Sequence, residues 1–274
     1  MKTFLSEEDI SLKRFTDNVF PQAGLEFSQL LKHRDIKVNG EKTDENEDLH
    51  PGDEVIYNTD EEQESEKSHD VVYEDDNILI CDKYAGVASA GLLSELNGYK
   101  RSGPYKGVNR LDKYTQGLII FAKSPKAVRQ LHDAKGLLVE KVYEAICVDG
   151  FKQDEDKLYA YIRKNPDTGL SDVFPKKVDG SERIVTVYSV LERKKDLALV
   201  QITLHTDKVH QIRAHMAYIG CPILGDEKYG DDDINEEYDI DEQQMVSKKI
   251  IFSLSGELSY LNKMTFESRF SLDF

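Results

Sequence analysis

Arg110 and Asp112 flank Leu111 in a polar turn, Val108-Asn109-Arg110-Leu111-Asp112-Lys113-Tyr114-Thr115-Gln116-Gly117. The run after it, Leu118 to Ala122, is β-branched and aromatic and is bounded by Gly117 and Ser124-Pro125, so it reads as a buried strand. A carboxylate on a loop presented by a rigid strand can serve as nucleophile or base. The commoner use of a turn Asp is to cap or hydrogen-bond its own backbone. The turn alone does not separate these readings.

Other side chains suggest chemistry less strongly. His205, His210 and His215 raise the idea of a metal site. Only His210 and His215 share an expected helix, and their spacing of five is not the i, i+4 of a zinc pair. No metal or other cofactor is expected. Cys81, Cys147 and Cys221 are odd in number, lie in apolar surroundings and lack C-x-x-C spacing, which reads as buried free thiols of a cytoplasmic protein.

Composition bounds the partners. The 274 residues can hold one large domain and a small one. Nothing approaches the roughly 20 apolar residues of a membrane span, and the first residues lack the apolar core of a signal peptide. The net charge of −16 argues at face value against nucleic acid, because phosphate binding needs Lys and Arg. Residues 60–70 and 226–242 carry −14 of it, so the remainder is nearly balanced and permits a local basic cleft.

The elements that must position these groups follow along the chain. Residues 1–59 read as a small module. It has two short amphipathic helices, Ile10 to Phe20 and Leu25 to Leu31, and a strand entering an Asn39-Gly40 hairpin turn. Residues 60–70 read as an acidic flexible linker, and residues 71–274 as the large domain. Leu92 to Tyr105 reads as loop. Ser124 and Pro125 start a helix to about Ala134, and Lys141 to Val148 reads as a strand. Asp154 to Pro175 reads as polar and irregular. Arg183 to Leu191 and Leu197 to Leu204 form a hairpin, and a helix follows from about Lys208 to Ile219 with Thr206 or Asp207 as N-cap. Asp231 to Glu242 reads as an exposed acidic loop. Many strands with few helices imply α+β with a mixed or antiparallel sheet.

Three ordered motifs sharpen this. Asn109 to Ser124, NRLDKYTQGLIIFAKS, resembles the HRLD-x-x-T-S-G-L-L-x-F-A-K signature of the RluA family of pseudouridine synthases. Glu140 to Ile146 resembles its K-x-Y-x-A motif. His205 to Met216 resembles T-G-R-T-H-Q-I-R-x-H, and Gly225 to Gly230 its G-D-x-x-Y-G tail. The resemblance spans roughly Val71 to Gly230. Asn109, Gln116, Asp207-Lys208-Val209 and Tyr84 depart from the pattern, which bears on the substrate taken more than on the reaction. Residues 1–59 resemble an S-four-type RNA-binding domain, whose RNA edge would be Lys32, His33, Arg34 and Lys37.

The resemblance implies the pseudouridine synthase fold, with a mixed, largely antiparallel sheet, and isomerisation of specific uridines in structured RNA, ribosomal or transfer. The target must be extruded from its stack. Asp112 is then the catalytic carboxylate, attacking the anomeric carbon or taking a ribose proton, and Tyr143 lies against the base. Arg213 can hold Asp112 in a fixed orientation. Arg110 would fill the gap left by the flipped base or bind a phosphate. Lys83, Lys208, His210 and Gln211 would also contact RNA. Neither a membrane nor an obligate protein partner is expected. Two rival readings are a catalytically idle RNA-binding protein and an N-glycosidase. The second needs another carboxylate near Asp112, which no matched motif supplies.

Overall fold

The computed structural model describes residues 2–19, 27–33, 35–57, 67–99, 105–132 and 139–274. It divides into two compact units, Met1–Glu66 and Lys67–Phe274. Among the described residues no helix is long and apolar enough to cross a membrane.

The small unit contains β1 (Lys2–Leu5), β2 (Ile10–Ser11), α1 (Leu12–Val19), α2 (Phe27–His33), β3 (Ile36–Val38), β4 (Glu41–Thr43), β5 (Asp48–Leu49) and β6 (Glu54–Tyr57). Its antiparallel sheet runs β1-β6-β3-β4, and β2 pairs with β5 apart from it. Asn39 and Gly40 both have positive φ, 51° and 85°, as the two-residue turn between β3 and β4 requires. The first helix starts at Leu12, not Ile10, because Ile10 and Ser11 pair with Leu49 and Asp48. Leu12, Phe15, Phe27, Ile36, Leu49, Val55 and Tyr57 make the core. Lys32 is exposed on α2 and Lys37 half-buried on β3, whereas Arg34 lies outside the described residues.

The large unit contains β7 (His69–Glu74), β8 (Ile78–Lys83), α3 (Ser89–Tyr99), β9 (Lys106–Gly107), β10 (Gln116–Ala122), α4 (Pro125–Ala127, continued by a π-helical turn, Val128–His132) and β11 (Val139–Val148). Then come β12 (Glu155–Lys164), β13 (Ser171–Phe174), β14 (Glu182–Lys194), β15 (Leu197–Leu204), α5 (Gln211–Tyr218), α6 (Asp232–Tyr238), β16 (Met245–Phe252), a 3-10 turn at Gly256–Leu261 and β17 (Thr265–Glu267). One sheet joins the strands in the order β13-β12-β14-β15-β11-β16-β10-β8-β7, with β9 beside β10 and β17 beside β16. β10 and β16 pair in parallel and the other ladders are antiparallel, so the sheet is mixed and largely antiparallel, as expected. β7 begins two residues inside the stretch read as linker.

β8 and β10 are buried on both faces, which is why their sequences are continuous apolar runs. Leu79, Cys81, Ile119 and Phe121 pack into one core, and Ile78, Ile80, Leu118 and Ile120 into the other. The three cysteines are buried and form no disulfide among the described residues.

Four expectations need correction. The stretch from Leu92 read as loop is helical as far as Tyr99, because Leu92 and Leu96, one turn apart, are buried in the core. Each such burial stabilises by about 1.5–3 kcal/mol, enough to override Gly91 and Gly98. Asp154 to Pro175 contains β12 and β13, whose inner residues Ala160 and Ile162 are buried while alternate ones face outward. The acidic stretch after Asp231 is helix α6, with the Asp231 side chain accepting from the Ile234 amide. Finally, α5 is capped by neither Thr206 nor Asp207: its N-cap is His210, at φ 56°, with no side-chain cap bond.

His215 anchors α5 to the sheet. It is almost fully buried, with Nδ1 3.0 Å from the Thr186 hydroxyl on β14, and burial pushes its imidazole down to about 4. The folded protein therefore binds that proton less readily than the unfolded chain, whose His titrates near about 6.5. The stability of the neutral form is complete above pH ~6.5 and is lost as pH falls towards ~4. The urea midpoint should drop across that window, and His215→Asn should remove part of the drop. Parallel midpoint-versus-pH curves for the two proteins would contradict this.

Candidate active site

Asp112 sits in the turn between β9 and β10, and its backbone is fixed on both sides. The Ser89 hydroxyl, at the start of α3, donates to the Leu111 carbonyl (2.7 Å) and accepts from the Leu111 amide (3.0 Å). On the other side the Lys83 ammonium donates to the carbonyls of Lys113 (3.0 Å), Val87 (2.7 Å) and Tyr84 (2.9 Å). Lys83 is fully buried, and burial pushes its ammonium down to about 8 against the opposing charge of Asp112. This corrects the expectation of an RNA contact. The stem of Lys83 runs inside the fold and its head ties down the loop that carries Asp112.

With its backbone held, the Asp112 side chain stays partly exposed, at 29%. Its Oδ2 accepts from Arg213 NH1 at 2.9 Å, and His210 Nε2 is 3.9 Å from Oδ1. Arg213 projects from α5 and is buried. Its other edge forms a two-point contact with Asp226, Nε to Oδ2 at 2.7 Å and NH2 to Oδ1 at 2.6 Å. Burial alone would lower the Arg213 pKa, but the hydrogen bonds and charges of Asp226 and Asp112 outweigh it and raise the pKa above the usual range. Tyr229 lies 5.4 Å from the guanidinium, and its hydroxyl meets His210 Nδ1 at 3.0 Å. Burial lowers the His210 imidazole below its ordinary range, with the Asp112 charge opposing.

Asp226 is fully buried and belongs to the Gly225-Asp226-Glu227-Lys228-Tyr229-Gly230 turn. Its Oδ1 also accepts from the amides of Lys228 (2.9 Å) and Tyr229 (3.1 Å). Gly225 has φ +74°, and a Cβ there would lie 2.1 Å from the Glu242 carbonyl oxygen; at Gly230 a Cβ would lie 2.3 Å from that of Asp226. Side chains at either position would push the turn apart. The Asn235 side chain, from α6, accepts from the Gly225 amide at 2.7 Å, so the acidic segment helps hold this turn.

Tyr143 comes from β11 and is buried. Burial, and then the charge of Asp207, pushes its phenol well above the usual tyrosine range, while a hydrogen bond with Ser247 acts the other way. A phenolate is therefore disfavoured, and the ring and neutral hydroxyl are what Tyr143 offers. A cavity of about 50 Å³ is lined by Arg110, Asp112, Tyr143, Asp207, Arg213 and Met245, among others. It adjoins a groove of about 900 Å³ reaching Arg163, Lys164 and Gly180.

The structure thus brings Asp112, Tyr143 and Arg213 together around one cavity, with Arg110, Lys208, His210 and Gln211 also on its wall. Gln211 is buried, accepting at Oε1 from Thr206 and from the Lys208 amide, so it orders the turn before α5. Lys208 pairs with Glu182. Lys32 and Lys37 belong to the other unit. Sequence reasoning assigned no role to Asp226, Tyr229 or Ser89, although Asp226 and Tyr229 stand in a quoted motif. Asp207, expected only as a candidate N-cap, instead pairs with the buried Lys141 and lines the cavity.

The arrangement can present a positioned carboxylate to a group seated against Tyr143. Its support is the buried Arg213–Asp226 pair, and removing one member of such a pair costs about 3–5 kcal/mol. Asp226→Asn should therefore lower the unfolding free energy by about 3 kcal/mol and leave Arg213 less firmly held. A urea titration of this variant within 0.5 kcal/mol, roughly, of the parent would show that the pair does not support the site.

Comparison with known proteins bears on the family and the fold. The model of the RNA pseudouridylate synthase family matches residues 77–218. A ribosomal large subunit pseudouridine synthase C of Rickettsia felis is 30% identical over 236 residues, covering 74% of this chain and 76% of that protein. An RNA pseudouridine synthase of Bacillus subtilis, YlyB, is 31% identical over 226 residues, covering 74% and 73%. A synthase C of Rickettsia bellii is 35% identical over 178 residues, covering 59% of this chain and 57% of that protein. The solved structure of human RNA pseudouridylate synthase domain containing 4 shares the fold, with TM-score 0.58 and 21% identity, covering 74% and 88%. Family model, relatives and fold agree with the three motifs, and the chain belongs to the RNA pseudouridylate synthase family.

Proposed function

We propose that this protein isomerises uridine to pseudouridine in ribosomal RNA, with Asp112 as its catalytic carboxylate. Ribosomal RNA is favoured because relatives covering most of the chain are named ribosomal large subunit synthases. The reaction breaks the bond between ribose and N1 of uracil, turns the base and rejoins the sugar to carbon 5. Carbon 5 then gives up its proton. One observation carries the reading: a partly exposed carboxylate, held through one oxygen by a buried arginine, faces the same cavity as a buried tyrosine.

In this reading the extruded uracil packs against the Tyr143 ring and Asp112 meets the sugar. Arg213 fixes the carboxylate's direction rather than touching the base. Arg110, exposed at the cavity rim, contacts the RNA from which the base is drawn. Among members of the small unit, Lys32 and Lys37, with Arg34, contribute affinity, as in the S-four-type reading of that unit.

A second reading has one observation in its favour. Asp207 supplies a further carboxylate on the cavity wall, where sequence motifs offered none. Water activated there would leave the base detached. Against that, Asp207 is engaged by the Lys141 ammonium. Release of free uracil without pseudouridine would select the hydrolytic reading.

Asp112→Asn should cut the single-turnover rate on tritium-labelled ribosomal RNA by about a hundredfold or more, with RNA affinity nearly unchanged. Turnover within tenfold of the parent would sink the assignment of Asp112. Deleting residues 1–68 should weaken RNA binding. It should also flatten the log–log salt dependence by roughly two to three units, if Lys32, Arg34 and Lys37 engage two or three phosphates. Equal affinity and equal salt slope would mean the small unit faces something other than RNA.

A further inference from the structure

The outer face of β12, β13 and β14 carries a pattern that the active site does not use. Along β12 the inward residues Ala160 and Ile162 pack with Ile184 and with Ala214 of α5. The alternate residues Lys157, Tyr159, Tyr161 and Arg163 share the opposite face. Tyr161 stands across from Arg183 on β14 and from Phe174 on β13. Tyr159 is 56% exposed, an unusual state for a ring in a strand. The Arg183 guanidinium lies 5.2 Å from its centroid and the Lys157 ammonium 5.9 Å, while Arg163 lies 5.2 Å from the Phe174 ring. Lys176 and Lys177 continue the exposed cations beyond β13. On this face Glu155 accepts a hydrogen bond from Ser189 and Asp172 one from Asn165, and Asp156, Glu182 and Glu192 are further carboxylates on β12 and β14.

We propose that this face is an RNA platform, taking an unpaired segment of substrate that adjoins the target uridine. The inference rests on the pseudouridine synthase reading and extends its RNA contact beyond the pocket. Aromatic rings flanked by guanidinium and ammonium groups suit single strands, because every base has a face to stack and every nucleotide a phosphate. Protein interfaces share the Tyr, Phe and Arg of this face but are depleted in Lys, and Lys157, Lys176 and Lys177 stand exposed here. The charge also fits: in a chain of net charge −16, these cations gather where β12 leads away from the groove. Arg163 belongs to this face and also lines the groove that holds Asp112, so it is the point where RNA leaving the pocket would meet the platform.

The test uses the full chain and a single-stranded oligouridine as probe. Tyr159→Ala and Arg183→Ala should each weaken binding roughly tenfold, whereas Tyr159→Phe, which keeps the ring, should stay within about twofold. Arg183→Ala should also lower the log–log salt slope by about one unit. The ribosomal RNA concentration giving half-maximal pseudouridine formation should rise roughly tenfold for Tyr159→Ala and Arg183→Ala and stay within about twofold for Tyr159→Phe. Cross-linking of 4-thiouridine-substituted oligouridine to the unaltered protein needs no variant and should label the β12 peptide. Parent-like affinity and slope in the Tyr159→Ala, Arg183→Ala double variant, or cross-links confined to the Asp112 pocket, would overturn the platform. If the parent forms no pseudouridine, the functional reading fails by itself, and the oligouridine arms still decide the platform.

Discussion

A buried guanidinium between two carboxylates is the constraint on which the site depends. Arg213 cannot be left alone in a water-poor interior, because an unpaired buried charge is far more costly than a paired one. Asp226 neutralises it through a two-point contact with no exposure of its own. Of the three N–H groups this leaves, one, on Nη1, is directed at Asp112. The division of labour is physical: one carboxylate is buried and saturated with hydrogen bonds, the other is partly open and holds a single strong one. The second is the carboxylate proposed to react.

Much of the surrounding backbone follows from keeping that triad in place. The turn around Asp226 needs glycine at 225 and 230, since a Cβ at either would collide with a carbonyl. Asn235 pins the turn from α6, which gives a structural use to part of the acidic segment. On the Asp112 side, Ser89 and Lys83 grip the residues immediately before and after it. The carboxylate thus sits on a loop with the rigidity of the sheet beneath it, which prevents the small displacements that cost rate.

How much of this was legible varies with the chemistry of each residue. Asp112, Tyr143 and Arg213 lie in three separated motifs, and their order in the chain was enough to suggest one site. Asp226 stood in a quoted motif but without a role, because its partner is thirteen positions back on a helix and only the fold aligns them. Lys83 was expected to contact RNA: nothing in the sequence announces an ammonium whose partners are three main-chain carbonyls. β12 and β13 were hidden for the opposite reason. Their outer residues are as polar and aromatic as a loop's, so the alternation of Ala160 and Ile162 went unnoticed. α3 was obscured by Gly91 and Gly98, which lower helix propensity without preventing Leu92 and Leu96 from packing.

The most direct measurement of the central claim is a pseudouridine map of total RNA from cells with and without the gene, complemented by the parent or by Asp112→Asn. The account predicts that at least one ribosomal RNA uridine loses its modification on deletion, regains it with the parent protein and stays unmodified with the variant. A map that does not change on deletion, or that Asp112→Asn restores, would contradict it.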